Sequence, residues 1–163
     1  MGEQTKVESV TRVATAQWKG SMRSEVSVRD CEPVIIDEPP GRGGLYEYPT
    51  PAEYTIAAIA GCSVAHIELF AKEAGMPLED CRVVGGLELA HFEPDDERGK
   101  NGGVLGIDLK FYVTSSRTEE QLGQVKQLFH DRCVLYRFAK SAAPLTEEWV
   151  LTSSDKVCYL ERE

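Results

Sequence analysis

Basic residues are scarce in this chain relative to acidic ones. Lys and Arg number 18 against 27 Asp and Glu in 163 residues, so the formal net charge is -9. Nucleic acids and anionic membrane surfaces are bound by basic faces, and this balance therefore argues against both as partners. The hydrophobic fraction of 42% is sufficient for a buried core. We expect a single domain over residues 1–163.

Long apolar runs are also lacking. The longest, residues 56–70, is shorter than a membrane span and contains Ser63, His66 and Glu68. The first residues lead into no apolar segment, so no signal peptide is expected. Five cysteines without an export signal indicate free thiols in a reducing compartment, and we expect a cytoplasmic protein.

Strand and helix patterns alternate along the chain. Alternating or β-branched segments predict strands at residues 7–18, 25–29, 34–36, 81–92, 104–114, 148–152 and 157–160. Helical patterns cover residues 51–74 and 118–133, with a further turn at 134–140. The first helix is apolar on nearly all faces, which predicts burial on all sides. This order of elements predicts an α+β fold.

Two cysteines lie in settings that indicate chemistry. Cys62 is inside the first helix, and Cys133 ends the second. A thiolate is a nucleophile, and a second thiol can resolve the product that the first one forms. If the fold brings them together, a redox enzyme is indicated; if it does not, they are two small core residues. The other cysteines have no partner signature and are interpreted as structural: Cys31, Cys81 and Cys158.

Glu53 and Cys62 cannot form one site on one straight helix. Nine residues separate them, which corresponds to opposite sides and roughly 13 Å along the axis. Either Gly61 breaks the helix, or Glu53 meets the Cys62 of a second subunit. A cation that stabilises a Cys62 thiolate must come from elsewhere in the fold, and Arg23 and Arg29 are the candidates.

Histidines near both cysteines leave two alternatives open. His66 follows Cys62 by four residues, and His130 precedes Cys133 by three. Together these four side chains could supply a tetrahedral zinc site. His66 could instead serve as a base for Cys62.

Several segments resemble the OsmC/Ohr family, the osmotically inducible and organic hydroperoxide resistance proteins. The resemblance covers roughly residues 10–160. The segments that carry it are Asp37-Glu38-Pro39-Pro40, Gly43-Gly44, Pro49-Thr50-Pro51-Ala52-Glu53-Tyr54, Ala57-Ala58-Ile59-Ala60-Gly61-Cys62, Ala71-Lys72-Glu73-Ala74-Gly75-Met76-Pro77-Leu78 and Arg132-Cys133.

The resemblance implies an intertwined homodimer in which antiparallel sheets wrap long central helices. It also implies thiol-dependent reduction of organic hydroperoxides, with a dithiol reductant and without a metal or organic cofactor. Cys62 matches the peroxidatic cysteine and Cys133 the resolving one. Glu53 matches a glutamate that positions an arginine; Arg23 fits best, and Arg29 is the other candidate. A non-catalytic protein that binds a small apolar ligand at the dimer interface is the alternative on the same fold.

One segment departs from the family pattern. Peroxidase members usually follow the second cysteine with Pro-Val-Ser, whereas Val134-Leu135-Tyr136 follows Cys133 here.

Overall fold

The computed structural model describes residues 9–90 and 103–152. Its elements in chain order are β1 Thr15–Gly20, β2 Arg23–Ser27, β3 Val34–Ile36, a 3₁₀ turn Pro40–Arg42, α1 Pro51–Glu73, β4 Asp80–Ala90, β5 Gly103–Thr114, α2 Glu119–Arg132, α3 Val134–Ala142 and β6 Leu145–Thr152. The α+β prediction is confirmed. The chain divides into two compact units between Pro51 and Ala52. A single domain over residues 1–163 stays a prediction.

The first unit contains an antiparallel sheet in the order β1-β2-β3. The strand predicted at residues 7–18 begins only at Thr15, and residues 9–14 form no strand. The strand predicted at 25–29 lies two residues earlier. Positive φ angles at Ser21, Met22 and Arg29 explain the shift, because they place turns on both sides of β2.

The second unit contains a mixed sheet in the order β4-β5-β6. β4 and β5 are antiparallel, whereas β6 is parallel to β5, so the expectation of antiparallel sheets is wrong for this strand. The chain between β5 and β6 passes through α2 and α3, and such a helical crossover returns the strand in the same direction. The predicted strand at 157–160 lies outside the described residues.

One hydrophobic core is formed by α1, β5, α2 and α3. Every second residue of β5 from Ile107 to Val113 is buried on the core face. α2 contributes Phe129, whose ring contacts those of Phe111, Trp149 and Tyr136. These side chains fix α2 and α3 over the sheet.

Within the single chain, burial of α1 is confined to one side, so the expected burial on all faces stays a prediction. The buried residues form one stripe: Ile59, Ser63, Ile67, Phe70 and Ala71. The other side exposes small and apolar residues within this chain: Ala57, Ala58, Gly61, Ala65 and Leu69. The helix continues through Gly61 without a break.

α1 is longer than the apolar stretch at residues 56–70. With 23 residues it is long and apolar enough to cross a membrane by length and composition alone. The central helix of a soluble fold passes the same test, so this is weak evidence for a span.

Candidate active site

The fold brings Cys62 and Cys133 together. Their Sγ atoms lie 4.0 Å apart, although 71 residues separate them in sequence. Cys62 is half-buried on α1, and Cys133 is fully buried between α2 and α3. Both are free thiols. The spacing exceeds an S–S bond of about 2.05 Å, so a disulfide requires a movement of roughly 2 Å.

Cys133 occupies the junction of two helices. Its amide donates to the Phe129 carbonyl and ends α2, and the same residue precedes the first turn of α3. Burial raises the pKa of Cys133 to about 11. The amide groups of Tyr136 and Leu135 face the thiol and oppose this rise, although neither makes a regular capping hydrogen bond. Val134 takes the first helical position of α3, where the peroxidase pattern has Pro. Proline is favoured at the first position of a helix, so Val134 in place of Pro is compatible with a helix that starts at the same residue.

His66 stands beside Cys62, as the spacing on one helix face predicts. Its Nδ1 atom lies 3.3 Å from the Cys62 Sγ and 2.9 Å from the Cys62 carbonyl oxygen. A carbonyl only accepts hydrogen bonds, so we assign the ring proton to Nδ1. In this tautomer the Nδ1–H of His66 donates to the Cys62 carbonyl, and Nε2 is the unprotonated nitrogen.

His130 does not join the cysteines, contrary to the four-ligand zinc arrangement. Its Nε2 atom lies 2.7 Å from Glu147, and its ring stacks on Tyr136. Burial raises the pKa of Tyr136, and the hydrogen bond and charge of Glu147 raise it further. Among the described residues, the cluster with metal-ligand spacing contains Cys62, His66 and Cys133, whose ligand atoms all lie within 4.8 Å of one another.

Arg23 is fixed by two carboxylates in the first unit. Its Nε donates to Asp37 at 3.1 Å, and its terminal nitrogen bonds Glu47. Hydrogen bonds to both carboxylates, with that of Glu47 the stronger contribution, raise the pKa of Arg23. Sequence reasoning missed both carboxylates, because partners 14 and 24 residues away carry no local pattern.

Asp37 organises the loop that follows β3. Its side chain is fully buried. Burial alone would raise the pKa of Asp37, but the hydrogen bonds that it accepts outweigh this effect and lower the pKa to about 2. Three backbone amides and one side chain donate these bonds: Glu47, Glu38, Leu45 and Arg23.

The other predicted site residues occupy different settings. Arg29 is exposed and directs a guanidinium nitrogen to the Cys31 Sγ at 3.6 Å. Glu53 lies in the first turn of α1. Because α1 is unbroken at Gly61, the geometric separation of Glu53 and Cys62 on one helix stands.

A pocket of about 320 Å³ is lined by residues of the paired strands β5 and β6. Polar and charged side chains dominate its lining, and neither cysteine of the pair contributes to it. Its composition does not suit an apolar substrate.

The fold and the pair of thiols can now be compared with proteins of known family. The sequence profile described as OsmC-like protein matches residues 42–148, so the chain belongs to the OsmC/Ohr family. No curated protein sequence matches this chain.

Solved structures share the fold at low sequence identity. An OsmC-like protein from Mycoplasma pneumoniae has a TM-score of 0.72 and 14% identity, covering 89% of this chain and 99% of its own. An organic hydroperoxide resistance protein OsmC from Legionella pneumophila has a TM-score of 0.68 and 19% identity, covering 86% and 96%. The organic hydroperoxide resistance protein from Elizabethkingia anophelis has a TM-score of 0.69 and 17% identity, covering 89% and 99%.

Proposed function

We propose that this protein is a thiol-dependent peroxidase that reduces organic hydroperoxides. Cys62 would be the attacking thiol and Cys133 the resolving thiol. The observation that carries the proposal is the 4.0 Å approach of the two Sγ atoms. Membership of the OsmC/Ohr family supports it, as do the names of two relatives of the same fold.

The first step oxidises Cys62. Its thiolate attacks the terminal oxygen of the hydroperoxide, an S–O bond forms and the O–O bond breaks. The alkoxide takes a proton and leaves as an alcohol, while the sulfur loses two electrons and becomes a sulfenic acid.

The second step closes a disulfide. The Cys133 sulfur attacks the Cys62 sulfenic sulfur, the S–S bond forms and water leaves with the thiol proton. Because burial raises the pKa of Cys133 to about 11, its thiolate fraction, and with it the rate of this step, should increase with pH below that value. A dithiol reductant then returns both thiols, so the cycle belongs in a reducing compartment such as the cytoplasm.

The remaining site residues would stabilise the negative charges that are present during the reaction. Arg23 would stabilise the thiolate and the departing alkoxide, and Glu53 would position it. Arg23 suits this role better than Arg29, because two carboxylates fix its guanidinium whereas Arg29 is exposed.

We also propose that two chains form an intertwined homodimer. The apolar stripe that α1 leaves exposed supports this assembly, since its small residues permit close contact between helices. In such a dimer, Glu53 of one chain could reach the site of the other, which the geometry of α1 forbids within one chain.

Mass spectrometry of the reduced protein after one equivalent of cumene hydroperoxide tests the peroxidase. We expect a Cys62–Cys133 disulfide in the wild type and none in Cys62→Ser. Cys133→Ser should instead accumulate a Cys62 sulfenic acid that dimedone traps. Cys81→Ser is the matched control, because this cysteine is outside the pair and should leave the disulfide unchanged.

Two outcomes would contradict the proposal. An unmodified wild-type protein would remove the peroxidase and favour the non-catalytic binding protein. Over-oxidation of Cys62 in the wild type without a disulfide would remove Cys133 from the resolving role.

A further inference from the structure

We infer that the reduced protein binds a zinc ion through Cys62, His66 and Cys133, and that the bound ion blocks the dithiol from reacting. The three side chains come from α1 and the α2–α3 junction, so only the folded chain assembles them. Two thiolates and one imidazole are a ligand set typical of zinc, with a water molecule as the fourth ligand.

The separation of the two sulfurs fits tetrahedral zinc. Zn–S bonds of about 2.3 Å place two sulfurs about 3.8 Å apart. The observed separation of the Cys62 and Cys133 Sγ atoms is 4.0 Å. All three ligand atoms lie within 4.8 Å of one another.

The hydrogen bond of His66 to its own helix is consistent with a ligand role. Metal-bound histidines commonly donate their other ring N–H to a backbone carbonyl, which fixes the tautomer and the ring orientation. The Nδ1 contact with the Cys62 carbonyl at 2.9 Å supplies this bond and leaves Nε2 unprotonated. Cys62 and His66 are only half-buried, so the cluster is open to an entering ion.

The ion would be bound by the same two sulfur atoms, those of Cys62 and Cys133, that react in the proposed peroxidase. Zinc displaces the protons of both thiols and involves no electron transfer, so the cysteines stay reduced while it is bound. A sulfur lone pair engaged with zinc is a weaker nucleophile, and two sulfurs fixed on one ion cannot form the disulfide. The metal site itself does not depend on the proposed peroxidase; only the blocking of turnover rests on it.

Cobalt titration of the reduced full-length protein tests the metal site. We expect one Co²⁺ per chain, with the strong visible bands of tetrahedral cobalt and a thiolate-to-cobalt charge-transfer band that Zn²⁺ abolishes. Cys62→Ser and Cys133→Ser should lose the charge-transfer band or halve it with a large loss of affinity. His66→Asn should weaken binding roughly tenfold or more.

Matched substitutions separate this site from chance binding. Cys31→Ser, Cys81→Ser and His130→Asn should leave the titration unchanged, because these residues lie outside the three-ligand cluster. Circular dichroism checks that each variant is folded. Absence of cobalt binding in the wild type would overturn the inference, as would unchanged binding in folded His66→Asn.

A second measurement distinguishes this inference from the proposed function. One equivalent of Zn²⁺ should slow alkylation of Cys62 by iodoacetamide, and a chelator should restore the original rate. This readout needs no peroxide. A chain that binds zinc but ignores peroxide would retain the inference and lose the peroxidase. Peroxidase activity that one equivalent of Zn²⁺ leaves unchanged would overturn the inference alone.

Discussion

Asp37 shows how one buried carboxylate can organise a loop that lacks regular structure. The segment between β3 and α1 contains the 3₁₀ turn and backbone hydrogen bonds such as that from the Tyr46 amide to the Glu38 carbonyl. The two Asp37 oxygens add further bonds by accepting from three backbone amides and the Arg23 Nε. The orientation of Arg23 therefore depends on a residue that no catalytic motif identifies.

Asp37→Asn should destabilise the protein near neutral pH and change how its stability depends on pH. The folded-state pKa of Asp37, about 2, lies below its ordinary value of 3.8. The ionised carboxylate therefore contributes stability above about 3.8, and this contribution is lost as pH falls toward 2. Denaturant unfolding across pH should show this loss in the wild type, and the Asn variant should lack it.

Asp30→Asn is the matched control for this prediction, because Asp30 is exposed in the same unit. Its unfolding curve should follow that of the wild type at each pH. Equal pH dependence in wild type and Asp37→Asn would show that Asp37 is not held ionised by its neighbours.

At the scale of elements, α2 and α3 together determine the position of Cys133, which lies at their junction. α2 is anchored by Phe129, whose ring packs at 5.3 Å from that of Phe111 and at 4.9 Å from that of Tyr136. Cys133 follows four residues later at the helix junction. The position of the second thiol is therefore determined by aromatic packing as well as by its own contacts.

Phe129→Ala should destabilise the protein by about 3–5 kcal/mol, because it leaves a cavity at a fully buried position. It should also slow Cys62–Cys133 disulfide formation through movement of the helix junction. Thermal unfolding and the rate of disulfide formation measure the two effects. Phe138→Ala is the control, since that side chain is 59% exposed. Equal losses in both variants would contradict the role of core packing.

Sequence patterns were most informative where contacts are local. They predicted β3, and they placed α1 and α2 to within a residue or two, because the apolar spacing that indicates a helix lies within each segment. They did not give the start of β1 or the partners of Arg23, and the antiparallel pairing implied by the family resemblance was wrong for β6. These features depend on pairing between residues far apart in the chain, which no short window contains. Thr118, the first residue of the predicted helix, precedes α2, and its side chain makes no capping hydrogen bond.

The pairing of the two cysteines could be predicted from the sequence only in part. The sequence indicated each cysteine and its neighbouring histidine, but it could not determine which of them would meet. Packing of α1 against the α2–α3 junction brings His66 to the pair, whereas Glu147 holds His130 elsewhere.

At the scale of the whole molecule, the proposed dimer depends on the exposed side of α1. Leu69 is 51% exposed on a helix whose opposite side lies in the core. A helix with two apolar sides is typical of the centre of a larger assembly.

Ala65→Arg should therefore convert the proposed dimer into a monomer, because a charged side chain would be buried where the helix packs against its partner. Sedimentation velocity of wild type and variant measures the mass directly. Gln124→Arg adds the same charge at an exposed position of α2 and should leave the dimer intact. A monomeric wild type, or a dimer that persists in Ala65→Arg, would contradict the proposed assembly.

The parallel pairing of β6 with β5 has a consequence for synthesis on the ribosome. β4 and β5 can pair as soon as both have emerged, but the far edge of β5 stays open until Leu145 and the residues after it have been translated. An unpaired strand edge is a template for association with other chains. Nascent chains that stall after α3 should therefore be more prone to aggregate than chains that extend through Thr152, although both contain the two cysteines.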